Sequence, residues 1–93
     1  MSTNSRPPRK SGWTVYLLRC GDGSLYAGVT TDLARRLAQH RSGKGAAYTR
    51  SHLPVALAWS EPADSESAAK RREAAIKRLS RKEKIVLVGT SES

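Results

Sequence analysis

The chain has 93 residues, enough for one domain with a small core, and its single cysteine, Cys20, excludes an internal disulfide. It has no run of about 18 apolar residues and no apolar segment near its start, so we expect neither a membrane span nor a secretory signal, and we predict a soluble cytoplasmic protein. Seventeen lysines and arginines against eight acidic residues give a formal charge of +9, which indicates a polyanionic partner, with nucleic acid as the first candidate and a membrane surface disfavoured.

The chain begins with a polar segment, residues 1–12, which has two adjacent prolines, three basic residues and no apolar periodicity. We predict a disordered basic arm there. A single domain is predicted over residues 13–88, followed by a flexible polar tail over residues 89–93.

Two segments rich in aromatic and β-branched residues, 13–19 and 25–29, are separated by the turn-forming sequence CGDGS. Together they predict a β-hairpin. Its register decides whether Tyr16 and Tyr26 lie on one face, because side chains alternate with a period of two.

The length of the hairpin loop sets that register. A two-residue loop would place the two tyrosines on opposite faces, whereas a loop of three or five residues sets Gly28 opposite Tyr16 and brings them to the same face. We predict the odd-length loop, with Gly21 or Gly23 at positive φ. Gly28 is then expected to leave open space over the Tyr16 ring.

Helical periodicity follows over residues 33–42, with Thr31 or Asp32 as the N-cap. Arg36 and His40 are one turn apart at the edge of the apolar stripe, which singles out Arg36 over the arginine before it. The predicted buried stripe of this helix consists of Leu33, Ala34 and Leu37.

The connection over residues 43–52 is basic and glycine-containing, holds Lys44 and Tyr48, and has room for a helical turn. A third strand is predicted over residues 55–60, in which larger apolar residues alternate with small alanines. Glu61 and Pro62 are predicted to end it.

A second long helix is predicted over residues 65–79, with Asp64 or Ser65 as its N-cap. Glu73 lies at the edge of its apolar arc, in a segment otherwise crowded with lysine and arginine. Arg72 falls inside that arc, where a snorkelling side-chain stem or a bend would accommodate it. The predicted buried residues are Ala68, Ala69, Ala75, Ile76 and Leu79.

A capping-box pattern, SRKE, occupies residues 80–83. It predicts a short final helix over residues 85–88. Because that segment is rich in β-branched residues, a strand is the alternative.

Phosphodiester hydrolysis requires an activated nucleophile, a cation beside the developing charge and usually a metal ion. Glu73 is a sufficient protein ligand for Mg²⁺, which takes one or two carboxylates and completes its coordination with water and phosphate. Arg36 can hold the non-bridging oxygens. Tyr16, Tyr26 or His40 can position or deprotonate the attacking water, and histidine has the most suitable unperturbed pKa.

Each of these residues also has a purely structural interpretation. Tyrosines on a hairpin can pack in the core, and Arg36 can be solvated or ion-paired. His40 can interact with the C-terminal end of the helix dipole, and Glu73 can pair with Lys70 or Lys77. The residues alone therefore predict a basic α/β domain that binds nucleic acid, and the active site is a hypothesis.

The order and spacing of these residues resemble the GIY-YIG nuclease family. TVY at residues 14–16 is similar to the first signature tripeptide, and YAG at residues 26–28 is similar to the second. Residues 28–40 (GVTTDLARRLAQH) resemble the helix motif of the family, and Glu73 in REAAIKRL resembles its metal-binding glutamate. Over residues 13–87 the chain looks like the small single-domain bacterial YhbQ-like (UPF0213) group.

The resemblance implies an α+β fold (α/β in the broad sense): a small three-stranded antiparallel sheet flanked by helices. It implies one divalent cation, Mg²⁺ or Mn²⁺, held by Glu73, and substrate contacts at Lys44 and Tyr48. The resemblance also implies that Arg36 contacts the scissile phosphate and that His40 assists. The implied catalytic residues are Tyr16, Tyr26, Arg36, His40 and Glu73.

The sequence departs from the family pattern at three places. Val15 and Ala27 replace isoleucines, and these apolar changes leave the chemistry intact. Many family members carry an asparagine near the end of the domain, whereas the only asparagine here is Asn4, so that role is unfilled.

We therefore predict a divalent-metal-dependent endonuclease or nickase that hydrolyses DNA phosphodiester bonds with low sequence specificity, since no segment looks like a base-reading module. DNA is expected in preference to RNA, without a small-molecule cofactor and without a membrane partner. The alternative is a non-catalytic basic nucleic-acid-binding domain that keeps the nuclease fold. The oligomeric state is left open.

Overall fold

A computed structural model of the protein describes residues 12–92, so residues 1–11 of the predicted arm and Ser93 lie outside the described residues. Its strands are β1 (Thr14–Arg19), β2 (Leu25–Thr30) and β3 (Ala56–Pro62). Its helices are α1 (Leu33–Arg41), α2 (Ala47–Arg50), α3 (Glu66–Lys77) and α4 (Arg81–Glu92). The strands form one antiparallel sheet in the order β2-β1-β3, which confirms the predicted α+β architecture. None of these helices is long and apolar enough to cross a membrane.

The central strand β1 is buried on both faces. Val15 and Leu17 pack on one face against side chains of α3 and α4, including Ile76. Tyr16 and Leu18 point to the opposite face, which α1 covers through partly buried leucines. Cys20 belongs to that second cluster, where burial raises the pKa of its thiol. This small buried residue has the packing role expected of a cysteine in a core.

The hairpin register brings the two tyrosines to one face. Tyr16 pairs with Gly28, and Leu18 pairs with Tyr26, so Tyr16 and Tyr26 lie on the same side of the sheet. The loop is closed by a hydrogen bond from the Gly23 amide to the Cys20 carbonyl, 2.9 Å long, and Gly23 has φ +87°. The predicted odd-length loop is therefore confirmed.

Gly28 does not leave open space, contrary to the sequence prediction. A β-carbon built at Gly28 would collide with the hydroxyl group of Tyr16, because the Tyr16 ring lies directly against the Gly28 backbone. The missing side chain therefore accommodates the tyrosine itself, and the pair fixes where the Tyr16 hydroxyl lies.

Helix α1 begins at the predicted N-cap. The Asp32 carboxylate accepts a hydrogen bond from the Arg35 amide at 3.1 Å. Ala34 is exposed, so its predicted burial was wrong. The helix instead buries the stripe of Leu33, Leu37 and His40, which follows the i, i+4, i+7 spacing of one helix face and leaves Ala34 about 100° away.

A register shift interrupts the pairing of β3 with β1. Leu17 pairs with Trp59 and Leu18 pairs with Leu57, so one residue of β3 has no partner between them. Such a bulge re-aims the side chains that follow it. Val55 and Trp59 consequently pack in different core clusters, and Leu57, predicted to alternate with them, is 37% exposed.

Strand β3 runs through Pro62, where the sequence predicted a break. Pro62 pairs with Thr14 at the end of the sheet, and an edge strand tolerates a proline because one row of its backbone groups needs no strand partner. Glu61 accepts a 2.9 Å hydrogen bond from Arg72 Nε, and the Arg72 guanidinium lies 5.7 Å from the centre of the Trp59 ring. Arg72 therefore joins α3 to β3 by charge and by a cation–π contact.

Helix α3 starts at Ser65, whose hydroxyl accepts a 3.0 Å hydrogen bond from the Ala68 amide, as predicted. Ala69 and Ile76 are fully buried. Ala75 is exposed, so its predicted burial was wrong. The buried face of α3 is narrower than the apolar arc predicted from the sequence, because only the i, i+7 stripe of Ala69 and Ile76 is fully buried.

Helix α4 is longer than predicted. The capping box is present, since the Ser80 amide donates to Glu83 Oε1 at 2.8 Å and the Glu83 amide donates to Ser80 Oγ at 3.1 Å. Val88 is buried against the core, which holds the helix in place beyond residue 88. Residues 89–92 are therefore helical, whereas the sequence predicted a tail from Gly89 and a helix or strand of only four residues.

Two glycine substitutions should have opposite effects on stability. Gly28→Ala places a methyl group against the buried Tyr16 hydroxyl, and we expect a cost of about 1–3 kcal/mol, typical of overpacking. Gly89→Ala lies inside α4, where the new β-carbon would meet nothing within 4 Å beyond its chain neighbours and the backbone of its own helix, and we expect a gain of roughly 0.5–1 kcal/mol. Denaturant unfolding measures both changes, and a neutral Gly28→Ala would contradict the close packing of Tyr16.

Candidate active site

A buried chain of hydrogen bonds links β1, α1 and α2. His40 Nε2 lies 3.1 Å from the Tyr16 hydroxyl oxygen, and His40 Nδ1 lies 2.8 Å from Thr49 Oγ1. His40 and Thr49 are fully buried, and Tyr16 is 2% exposed. Gly45 lies against the imidazole so closely that a side chain there would collide with it. The sequence predicted His40 at the edge of the apolar stripe of α1, whereas the structure places its side chain in the interior of the domain.

Burial sets the protonation states of this pair. Desolvation, and then the positive charge of Arg36, hold the pKa of His40 below its ordinary value of 6.5. Desolvation also raises the pKa of Tyr16; Arg36 opposes this rise, and Tyr26 and Glu73 add to it. At neutral pH the pair therefore consists of a neutral imidazole and a neutral phenol.

Arg36 stands beside the Tyr16 hydroxyl at the surface end of this chain. Its guanidinium is near enough to act on the pKa of Tyr16 by hydrogen bonding and by charge. Arg36 Nη1 donates a 3.1 Å hydrogen bond to Gln39 Oε1, so Gln39 orients the guanidinium and does not simply point to solvent. Arg35 is exposed, which confirms that α1 turns Arg36, and not its neighbour, toward Tyr16.

Arg36 also lines an open surface pocket of about 360 Å³. Basic, amide and hydroxyl groups meet there beside an indole ring, which is a suitable lining for a phosphate-containing chain. The lining residues are Trp13, Val29, Thr30, Thr31, Asp32, Arg35, Arg36 and Gln39.

Glu73 approaches the site from α3, on the other side of the sheet. Its carboxylate is 3.3 Å from Lys77 Nζ, the i,i+4 pair that the structural interpretation anticipated, and its side chain is 21% exposed. Its negative charge adds to the rise in the pKa of Tyr16, as the smallest of the causes, so Glu73 acts on Tyr16 through its charge and without a hydrogen bond. The structure thus brings Tyr16, Tyr26, Arg36 and His40 together, whereas Glu73 is linked to them only through its charge.

The donor set fits a hard divalent cation held by one carboxylate. Among residues 12–92 there is no group of three or more histidine, cysteine, aspartate or glutamate side chains that could enclose a metal. Mg²⁺ needs no such cage, because water and substrate phosphate complete its octahedron. The Lys77 ammonium group is on an exposed side chain, so its pairing with the partly buried Glu73 is weak and a cation can replace it at small cost.

Tyr26 belongs to a row of aromatic rings. Its ring meets the His40 ring edge-on at 5.8 Å and stacks on Tyr48 at 5.7 Å. Tyr48 in turn stacks on His52 at 4.2 Å and donates a 2.6 Å hydrogen bond to Ser24 Oγ. Tyr48, 41% exposed, is therefore adjacent to the site through Tyr26.

Lys44 and Thr49 lie in the segment between α1 and β3. Lys44 is exposed, and its amide donates a 2.9 Å hydrogen bond to the Gln39 carbonyl, so its backbone is anchored to the end of α1. Sequence reasoning missed Thr49. A four-residue helix is too short to show apolar periodicity, so nothing in the sequence pattern indicated that Thr49 points inward.

Residues 12–85 match the family described as the GIY-YIG catalytic domain. The chain belongs to the GIY-YIG family. This GIY-YIG domain is 49% identical over 84 residues to a UPF0213 protein of Desulfotalea psychrophila, which covers 89% of this chain and 76% of the relative. It is 52% identical over 73 residues to a UPF0213 protein of Halobacterium salinarum, which covers 78% of this chain and 95% of that protein.

Solved structures agree with this assignment. The solution NMR structure of a UPF0213 protein from Bacillus halodurans is 46% identical, with a TM-score of 0.55, over 84% of this chain and 83% of that one. The predicted resemblance to the GIY-YIG family and to the UPF0213 group is confirmed. The names of these relatives specify no activity.

The buried imidazole makes the stability of this GIY-YIG domain pH-dependent. Because the pKa of His40 is lowered by folding, the unfolded chain binds a proton between the folded pKa and 6.5 that the folded chain does not. The contribution of His40 to the free energy of unfolding is therefore complete above pH 6.5 and is lost as the pH falls toward the pKa of His40 in the folded protein. The loss is no more than about 1.4 kcal/mol per pH unit.

Denaturant unfolding of wild type and His40→Gln over pH 4.5 to 8, a range bracketing the ordinary histidine pKa of about 6.5, measures this contribution. The carboxylates are the same in both proteins, so subtraction of the two curves isolates His40. Parallel curves below pH 6.5 would contradict a buried neutral imidazole.

Proposed function

We propose that this GIY-YIG domain is a divalent-metal-dependent endonuclease or nickase that hydrolyses DNA phosphodiester bonds with low sequence specificity. The observation that carries the proposal is the buried Tyr16–His40 hydrogen bond with the Arg36 guanidinium beside it, together with a Glu73 carboxylate whose charge acts on Tyr16. These groups supply a proton acceptor, a phosphate-binding cation and a metal-ligating carboxylate. The family assignment supports the same reaction.

Arg36 binds the scissile phosphate. A guanidinium can donate two parallel hydrogen bonds to the non-bridging oxygens, and those bonds strengthen as charge accumulates on them during attack. The contact with Gln39 holds the guanidinium before substrate arrives, so little reorganisation is needed. Arg36 also borders the pocket at Trp13, which gives the nucleic acid strand a route past the site.

The Tyr16–His40 pair accepts the proton of the attacking water. The water oxygen bonds to phosphorus while its proton passes to the Tyr16 hydroxyl oxygen, and the hydroxyl proton of Tyr16 passes to His40 Nε2. The bond from phosphorus to the sugar oxygen breaks, and the leaving alkoxide takes a proton from solvent. Since the pKa of Tyr16 is raised, a free phenolate is costly, and simultaneous transfer to His40 avoids it.

Glu73 would hold the divalent cation, Mg²⁺ or Mn²⁺. When bound, the cation neutralises charge on the phosphate oxygens and the leaving group. The remaining positive charge of the chain attracts the phosphate backbone without reading bases, which accounts for low sequence specificity. Lys44 and Tyr48, both exposed near the site, are the further substrate contacts.

Two glutamates of α3 form a matched pair of substitutions. Glu73 pairs with Lys77 and Glu66 pairs with Lys70, both at i,i+4 and at similar distances. Glu73→Gln should lower Mg²⁺-dependent cleavage by roughly 100-fold or more and leave DNA binding equal or slightly tighter. Glu66→Gln should cleave as wild type does.

Cleavage of labelled single-stranded, duplex and branched DNA with Mg²⁺ or Mn²⁺ provides the measurement. Equal losses in both glutamate variants would contradict the metal assignment. Binding without cleavage by clean wild-type protein on every substrate would support the non-catalytic alternative and overturn the proposed activity.

Neighbouring arginines of α1 test the phosphate contact. Arg36→Ala should reduce the cleavage rate by roughly 100- to 1,000-fold, the usual effect of removing one donor to a developing oxyanion. Arg35→Ala removes the same charge one residue away, so it should weaken binding at low salt and leave the rate at saturating substrate nearly unchanged. Single-turnover cleavage separates the two effects, and similar rates for both variants would contradict the role of Arg36.

A further inference from the structure

The hydrogen-bond chain continues past His40 to a residue that the proposed mechanism has not yet used. Thr49 Oγ1 lies 2.8 Å from His40 Nδ1 and 3.0 Å from the carbonyl oxygen of Ala46. Thr49 and His40 are both fully buried. Every polar atom of this chain must therefore find its partner within it, and the direction of each hydrogen bond can be deduced.

We propose that Thr49 is a positioning residue that fixes His40 as the Nδ1–H tautomer and so keeps Nε2 free to accept the Tyr16 proton. The catalytic consequence rests on the proposed nuclease function, whereas the tautomer itself is a property of the folded protein. Thr49 acts only through His40, since it touches neither the phosphate-binding arginine nor the metal-ligating glutamate in any contact of the described residues.

The tyrosine hydroxyl sets the direction at one end. Among residues 12–92, the Tyr16 hydroxyl has an acceptor in His40 Nε2, whereas the adjacent Arg36 offers only donors. The Tyr16 O–H therefore donates, and Nε2 is unprotonated. A neutral imidazole carries its proton on the other nitrogen, so Nδ1–H donates to Thr49 Oγ1.

The threonine hydroxyl completes the chain in the same direction. A hydroxyl has one proton, and the Ala46 carbonyl can only accept, so Thr49 O–H donates to Ala46 and leaves an oxygen lone pair for His40. The reverse order would make Nε2–H donate to the Tyr16 oxygen. That order leaves the Tyr16 O–H without an acceptor among the side chains and backbone of residues 12–92, at a cost comparable to a lost hydrogen bond.

The direction matters for the reaction. With Nδ1–H, His40 presents a lone pair to Tyr16 and can take its proton when Tyr16 receives one from the attacking water. With Nε2–H, the imidazole already donates to Tyr16 and cannot accept from it. Thr49 thus reinforces the tautomer in which the buried histidine is a proton acceptor at Nε2, the atom where the proposed reaction needs one.

The tautomer can be read in the wild-type protein without any substitution. Long-range ¹H–¹⁵N NMR of uniformly ¹⁵N-labelled protein at pH 7.5 distinguishes a protonated ring nitrogen from an unprotonated one. We expect His40 to show Nδ1 protonated and Nε2 unprotonated. A wild-type His40 in the Nε2–H form overturns the inference.

Two substitutions at Thr49 isolate its hydroxyl group. Thr49→Val has the same shape without an acceptor, so the fraction of His40 in the Nδ1–H form should fall, because Tyr16 alone then favours it. Thr49→Ser restores the acceptor and should restore the wild-type tautomer. His52, whose Nδ1 lies 2.6 Å from the Tyr48 carbonyl oxygen, should be unchanged in all three proteins and serves as the internal reference. A Thr49→Val protein with the same fraction of Nδ1–H as wild type overturns the inference.

Cleavage by the same proteins tests the catalytic consequence. Thr49→Val should lower kcat by at least roughly tenfold, toward the 100- to 10,000-fold attributed to general-base catalysis, with KM little changed and with recovery in Thr49→Ser. Equal kcat in wild type and a tautomer-shifted Thr49→Val overturns the positioning role. Absence of cleavage in wild type would instead refute the proposed function, and the NMR result would still decide the tautomer.

Discussion

Burial of the Tyr16–His40 hydrogen bond is the constraint around which this site is arranged. Two polar rings can lie at 2% and 0% exposure because their polar atoms have partners, and an unpaired buried donor costs about 1–3 kcal/mol. The hairpin supplies Tyr16, α1 supplies His40, and the short helix α2 supplies the Thr49 hydroxyl. The contacts that hold these three elements together are therefore the same contacts along which a proton can move.

Glycines make room for that arrangement. Gly28 and Gly45 each lie where a side chain would collide with Tyr16 or with the His40 ring. A domain of this size has a small core, with few surrounding side chains to hold the two rings in place. The close approach of the Gly28 and Gly45 backbones to the Tyr16 and His40 rings helps to orient them. The site thus depends on two residues that contribute no functional group.

The two charged residues of the candidate site, Arg36 and Glu73, come from helices on opposite faces of the sheet. Arg36 lies on α1, next to Tyr16, whereas Glu73 lies on α3, whose Ile76 packs in the opposite core cluster. Arg72 ties α3 to β3 through Glu61 and Trp59, so the helix that carries Glu73 has a fixed position against the sheet.

The sequence by itself determined the elements with strong local signals: the hairpin, both N-caps on the long helices, the capping box before α4, and the choice of Arg36 over Arg35. Those features follow from period, turn chemistry and capping, which act within a few residues. Tertiary structure decided the rest. The bulge in β3, the depth of His40 and the inward position of Thr49 depend on contacts between segments far apart in the chain, and no local pattern encodes them.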